Sequence, residues 1–131
     1  MTETALTPPC HVYDLHSHTT ASDGLITPTM FVQRSVEKGV TVLAITDHDT
    51  TAGLAEAHQA IKEFSLPLRL INGVEISTAW QNFDIHVVGL NIDPANDTLS
   101  RLLSQQKQQR QIRAEEIARR LEKAGIAGAL D

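Results

Sequence analysis

Two histidines separated by one residue, His16 and His18, follow a short apolar stretch near the start of the chain. Side chains alternate between the two faces of a β-strand, so both imidazoles are expected on one side, with Asp14 beside them. Imidazole nitrogens suit Zn, Fe, Ni and Cu, and carboxylates extend the choice to Mn and Mg. The spacing therefore predicts the first half of a metal site. Because a pair of histidines also arises by chance in protein cores, the prediction depends on further ligands elsewhere in the chain.

Further candidate ligands lie at or near other strand-like runs. Apolar runs end at His48 and at Glu75, another run contains His86, and Asp23 lies in a turn-like sequence. Parallel strands place their carboxyl ends at one edge of a sheet, where the active sites of α/β proteins are found. The repeated pattern predicts a metal centre built from six ligands: His16, His18, Asp23, His48, Glu75 and His86.

The rest of the chain alternates predicted strands with predicted helices. Thr27 and Pro28 are a favourable N-cap and first helical residue, and Gly39 can end that helix. Long apolar runs are typical of parallel strands covered on both faces. The predicted strands cover residues 11–16, 40–46, 66–74 and 83–90. The predicted helices are one capped by Thr27, a second capped by Thr50, and a third capped by Asp97 that runs to about Lys123. This order predicts an α/β fold of βαβ units.

Composition limits the class of protein. The 131 residues fit one domain, and 41% hydrophobic with 21% charged residues is ordinary for a globular protein. No apolar run approaches the roughly 20 residues of a membrane helix. Residues 1–10 are expected to be a disordered lead-in rather than a signal peptide, since a basic start and an apolar segment are missing. A single cysteine, Cys10, excludes an intrachain disulfide and predicts a cytoplasmic protein.

The charge is distributed unevenly. Residues 1–95 carry 4 lysines and arginines against 11 acidic residues, whereas residues 96–131 carry 7 against 5. The acidic body argues against a broad grip on duplex nucleic acid, while bound cations would still admit a small phosphorylated substrate. Arg110 and Arg113 interrupt the apolar stripe of the third helix, and arginine can bind phosphate through two hydrogen bonds. We therefore predict that at least one of them contacts the substrate phosphate.

Four motifs in the chain resemble a known family. Asp-Leu-His-Ser-His-Thr, Ile-Thr-Asp-His-Asp, Gly-Val-Glu-Ile-Ser and His-Val-Val-Gly-Leu are similar, in this order, to the first four motifs of the PHP (polymerase and histidinol phosphatase) metal-dependent phosphoesterases. The resemblance is nearest to the branch of 3',5'-nucleotide bisphosphate phosphatases and 5'-to-3' exoribonucleases acting on short RNA. It implies a distorted (β/α)7 barrel, of which residues 11–131 would be the N-terminal half.

The resemblance also implies a chemistry. Two or three divalent ions, with Mn expected and Zn, Fe or Mg as alternatives, would activate the attacking water, so no side-chain nucleophile is required. Glu75 would bridge two ions. Asp23 matches this branch, whereas many family members have histidine there. Asp14 and Asp47 are expected to orient the ligating imidazoles from behind.

Several alternatives remain open at this point. The family's later ligands, a histidine in an Ala-His-Pro-like motif and an Asp-x-His, do not occur in the chain. We therefore expect the 131 residues alone to bind metal weakly, to turn over poorly and to self-associate. The competing functions are a histidinol-phosphate-type phosphatase, a metal-binding accessory module like those attached to polymerases, and an inactive fragment. His11 and His58 are expected outside the site, and Trp80 either stacks on a base or covers the surface.

Overall fold

The computed structural model describes residues 10–125 and divides the chain into two compact units, Met1–Asp93 and Pro94–Asp131. The predicted lead-in therefore lies outside the described residues, apart from Cys10. The first unit contains β1 (Tyr13–Asp14), α1 (Pro28–Glu37), β2 (Val42–Ile45), α2 (Ala52–Glu63), β3 (Arg69–Trp80) and β4 (Phe83–Leu90). The second unit contains one helix, α3 (Asp97–Lys123). Within the described ranges, no helix is long and apolar enough to cross a bilayer.

The four strands form one sheet in the order β1-β2-β3-β4. The first three are parallel, as predicted from the alternation of strands and helices, with Tyr13 opposite Val42 and Val42 opposite Arg69. The fourth strand follows the third with no helix between them, and β3 and β4 pair antiparallel as a hairpin. Gln81 and Asn82 both have positive φ (47° and 67°), which is the backbone of a tight two-residue hairpin turn.

The core lies where α1 and α2 pack on β2. All four residues of β2 are buried, which explains its unbroken apolar sequence. Val32 of α1 and Leu54 of α2 belong to the same buried cluster as Leu43 and Ile45 of β2. The predicted start of α1 is confirmed, because the Thr27 hydroxyl accepts a hydrogen bond from the Met30 amide at 3.2 Å and Pro28 opens the helix.

The ends of several elements differ from the prediction. β1 has two residues rather than six, and β3 continues through Trp80, six residues beyond its predicted end. Thr51 rather than Thr50 is the N-cap of α2, although the Thr50 hydroxyl accepts from the Ala52 amide at 3.1 Å. Asn96 rather than Asp97 caps α3, because its side chain accepts from the Leu99 amide at 3.0 Å.

Candidate metal centre

His16 and His18 are held by the residue between them. Ser17 is nearly buried, and its hydroxyl donates to the Ala44 carbonyl at 2.7 Å while its amide donates to the Thr46 hydroxyl at 3.1 Å. These bonds fix the chain to β2 just beyond the two residues of β1. Both histidines consequently reach the same carboxylate on β3, Glu75.

Asp47 organises the loop that carries Asp23. Its buried carboxylate accepts hydrogen bonds from the Thr19 amide (2.6 Å), the Thr19 hydroxyl (2.7 Å) and the Ser22 hydroxyl (2.7 Å). The loop thus brings one oxygen of Asp23 within 3.0 Å of His18 Nδ1 and the other within 3.1 Å of His48 Nε2. A turn that the sequence shows only as polar is therefore held by a long-range contact.

His48 follows β2 and lies directly opposite Glu75 in an isolated parallel bridge. The Glu75 amide donates to the Asp47 carbonyl at 3.0 Å, and the Asp49 amide donates to the Glu75 carbonyl at 2.8 Å. The bridge keeps the register in which Ile45 is opposite Asn72. Glu75 therefore lies inside the long strand β3, opposite a residue three positions beyond the end of β2, rather than at the end of its own strand as predicted.

Glu75 is the centre of the cluster, and its side chain is only 5% exposed. Its Oε1 lies 2.8 Å from His16 Nε2. Its Oε2 lies 2.7 Å from His48 Nδ1, 3.3 Å from His18 Nε2 and 3.6 Å from His86 Nδ1. One buried carboxylate on β3 thus faces four imidazoles, which are carried by chain segments on both sides of β3 in the sheet.

Two buried atoms in this cluster, His18 Nε2 and Glu75 Oε2, form no hydrogen bond. His48 Nδ1 is close to the same oxygen, but the distance alone does not make a hydrogen bond because the angle must also be suitable. Burying polar atoms without a partner costs free energy, and a divalent cation between the imidazole and the carboxylate would satisfy both. The residues present therefore fit a metal ion.

The donor atoms fall into three overlapping groups, each with its atoms within 4.8 Å of one another. Every predicted ligand belongs to at least one group. His18, His48 and Glu75 each belong to two, so neighbouring ions would share ligands. The groups are His16 with His18 and Glu75; His18 with Asp23 and His48; and His48 with Glu75 and His86.

The two aspartates predicted to orient imidazoles make different contacts. Asp14 Oδ1 lies 3.4 Å from the backbone amide of His16, and Asp47 binds Thr19 and Ser22 as described above. Their described hydrogen bonds position the ligand-bearing backbone rather than a ring. For Asp47 the difference arises because the loop of Thr19 and Ser22 folds back onto it, which periodicity along a strand does not reveal.

The other predicted residues lie elsewhere. Arg110 and Arg113 are exposed on α3, in the second unit, and their contact with substrate stays a prediction. His58 is exposed on α2 with Nε2 2.6 Å from Asn72 Oδ1. Trp80 is 60% exposed and, by the alternation along β3, lies on the sheet face opposite to Glu75. This position favours covering the surface over stacking on a substrate base.

Sequence reasoning missed the residues that support the ligands. Thr19, Ser22 and Asp49 all bind to segments that carry a candidate ligand or adjoin one. Asp49 was visible in the motif Thr-Asp-His-Asp, whereas the hydroxyls of Thr19 and Ser22 carried no signal of their own. Their roles depend on contacts with residues 25 or more positions away in the chain.

The chain is similar to proteins of known activity. The chain is 58% identical over 120 residues to the 5'-3' exoribonuclease Rnm of Escherichia coli strain K12, covering 92% of this chain and 41% of that protein. It is 44% identical over 118 residues to the 3',5'-nucleoside bisphosphate phosphatase of Chromobacterium violaceum, covering 90% and 41%. The chain thus spans about two fifths of the length of these relatives.

Solved structures share the fold. An amidohydrolase from Chromobacterium violaceum, crystallised with sulfate and no metal, is 43% identical with a TM-score of 0.76, covering 88% of this chain and 40% of that one. A structure from Bifidobacterium adolescentis is 34% identical with a TM-score of 0.77, covering 89% and 40%. The predicted α/β fold, corresponding to part of a PHP barrel, is confirmed. Residues 14–128 match the PHP domain, and the chain therefore belongs to the PHP domain family.

Proposed function

We propose that this chain supplies metal ligands to a phosphoesterase that hydrolyses phosphate esters of nucleotides, either 3',5'-nucleoside bisphosphates or the 5' ends of short RNA. The observation that carries the proposal is Glu75, a buried carboxylate facing four imidazoles with one oxygen left without a hydrogen bond. The names of two relatives, an exoribonuclease and a nucleoside bisphosphate phosphatase, support the substrate class.

The three groups of donors indicate how ions would be held. Glu75 would be shared between an ion at His16 and His18 and an ion at His48 and His86, while Asp23 would complete a third position with His18 and His48. Bound divalent ions would supply an activated water and positive charge for the phosphoryl oxygens. We propose Mn, with Zn, Fe or Mg as alternatives, because this is what membership of the PHP domain family implies. The mixture of imidazole and carboxylate donors suits divalent metals of this range.

The protein's own residues give the cluster a buried side and an exposed side. Glu75 and His48 are 5% and 16% exposed, whereas His16, His86 and Asp23 are 56%, 47% and 63% exposed. The buried pair fixes the positions of the donors, and solvent reaches the exposed ones. A phosphate ester would therefore approach over His16, His86 and Asp23.

The remaining charge supports a small substrate. Residues 1–95 are strongly acidic, so a phosphate group would be attracted by bound cations rather than by the surface, and duplex DNA is not an expected partner. Arg110 or Arg113 is proposed to contact the substrate phosphate. A cytoplasmic location is proposed, since the single exposed cysteine suits a reducing compartment.

Metal analysis combined with a substrate panel tests the proposal. In the complete protein, Glu75→Gln should lose bound metal and hydrolysis of a 3',5'-nucleoside bisphosphate together, because an amide cannot supply the bridging charge. His58→Ala is the matched control, since this histidine lies outside the cluster. Equal metal content and turnover in Glu75→Gln would overturn the proposal. Preferential hydrolysis of histidinol phosphate would instead favour the monoesterase alternative.

A further inference from the structure

Asp49 combines two unusual properties beside the metal centre. It has a positive φ of 52°, a backbone conformation that residues other than glycine rarely adopt, although aspartate and asparagine tolerate it best. It is also buried, at 8% exposure. Strained backbone of this kind persists where the surrounding contacts determine it, so those contacts indicate its role.

The side chain of Asp49 takes the place of a backbone carbonyl as hydrogen-bond acceptor in the ladder between residues 47–49 and β3. The Asp47 carbonyl and the Asp49 amide bind the amide and carbonyl of Glu75 in the manner of parallel strands. In a continued strand the next acceptor would be the Asp49 carbonyl. The positive φ turns the chain away instead, and Asp49 Oδ1 accepts from the Ser77 amide at 2.8 Å.

This hydrogen bond holds β3, which carries Glu75 and pairs with the strand that carries His86. Ser77 follows Glu75 by two residues on the same face of β3, and it is paired directly with His86 of β4. His48, the neighbour of Asp49, lies opposite Glu75. One hydrogen bond therefore ties the segment of His48 to the point where Glu75 and His86 are both positioned.

We propose that Asp49 is a positioning residue that sets the spacing of His48, Glu75 and His86 and thereby the affinity for the ion they would share. This inference rests on the proposed metal centre. Asp47 has a similar role for the donor group that includes Asp23, because its carboxylate binds the loop that carries Asp23. The two aspartates that flank His48 thus act on different donor groups.

The test compares three variants in Mn titrations by calorimetry. Asp49→Gly allows the positive φ but removes the acceptor, and we expect affinity for one ion to fall by about 10- to 100-fold, as for other residues behind metal ligands. Asp49→Asn keeps both the acceptor and the backbone preference, and should restore affinity close to that of the wild type. Ser65→Gly, which places glycine at another residue of positive φ (49°), is the control for backbone flexibility.

Two measurements separate positioning from a general loss of structure. The electron paramagnetic resonance spectrum of bound Mn should change in Asp49→Gly and return to the wild-type form in Asp49→Asn. Hydrogen exchange in the metal-free wild type should show the Ser77 amide protected. Unchanged affinity and spectrum in a folded Asp49→Gly, or rapid exchange at Ser77, would overturn the inference. Tight Mn binding without hydrolysis in the wild type would overturn only the proposed function.

Discussion

One buried oxygen of Glu75 has no hydrogen bond within the protein, and single substitutions of the donors around it test whether a cation satisfies this oxygen. Each imidazole in the cluster contributes a neutral donor, and each carboxylate contributes charge. Removing an imidazole therefore takes away one ligand atom, whereas removing a carboxylate takes away charge as well. The exposed members of the cluster are the informative ones to change, because their loss perturbs packing least.

His16→Ala is expected to abolish phosphoesterase activity in the complete protein while leaving it folded. The side chain is 56% exposed, so little packing is lost, whereas the donor 2.8 Å from Glu75 disappears. Hydrolysis at limiting Mn and circular dichroism give the two readings. His58→Ala should behave as the wild type. Near-normal turnover at limiting Mn would remove His16 from the set of ligands.

Arg110→Ala and Arg113→Ala test the phosphate contact on α3. If either guanidinium binds substrate phosphate, its loss should raise KM while metal content stays unchanged, because the arginines are not donors to an ion. Arg119→Ala, another exposed arginine of the same helix, is the control. An unchanged KM in both variants would refute the contact.

The sequence predicted the identity of the clustered side chains better than their supports. His16, His18, His48 and Glu75 were visible because the pattern of an apolar run followed by a histidine or carboxylate repeats, and because these residues lie in the motifs that resemble the PHP family. The role of Asp47 was not, since it depends on a loop 25 to 28 positions earlier in the chain folding back onto it. Such contacts leave no local pattern.

At the scale of elements, the loop that carries Asp23 packs closely against its own backbone at Gly24. A Cβ on Gly24 would lie 2.4 Å from the His18 carbonyl oxygen and 2.8 Å from the Thr19 carbonyl carbon, both backbone atoms. The loop can close over His18 only because residue 24 has no side chain. Its conformation and the position of Asp23 are therefore coupled.

Gly24→Ala should displace this loop and weaken metal binding. Overpacking against backbone is expected to cost about 1–3 kcal/mol of folding free energy, and Asp23 should move away from His18 and His48. Thermal unfolding and Mn titration measure the two effects. Leu25→Ala, at the next and highly exposed residue, should change neither. Wild-type metal affinity in Gly24→Ala would show that Asp23 is not required.

The elements were predictable where their signals were strong. β2 and the start of α1 followed from an apolar run and from Thr27-Pro28. The extension of β3 did not, because Glu75, Ser77 and Thr78 interrupt its apolar sequence. The hairpin turn at Gln81 and Asn82 was not predicted either, because neither residue is the glycine that commonly marks a positive φ in such turns.

At the scale of the molecule, the hairpin leaves apolar side chains exposed. Trp80, Phe83, Ile85 and Val87 lie on the sheet face opposite to Glu75 and are 37–66% exposed. Among the strands of the described region, β4 is also an edge. An exposed edge with an apolar face favours pairing with another chain.

The isolated 131-residue chain is accordingly expected to self-associate. Light scattering should give a mass above that of the monomer, and the double substitution Phe83→Lys with Val87→Lys should lower it by adding charge to the apolar face. Met30→Lys, at an exposed position of α1, is the control. A monodisperse monomer in the unmodified chain would contradict this expectation.

The distance along the chain between His16 and Glu75, 59 positions, also has a kinetic consequence. Contacts between such remote positions form only after the intervening chain has closed, so the donor cluster should assemble late during folding. A cation that binds only the completed cluster should then slow unfolding far more than it speeds refolding. Stopped-flow unfolding in denaturant, with and without Mn, would show the cation extending the lifetime of the native state.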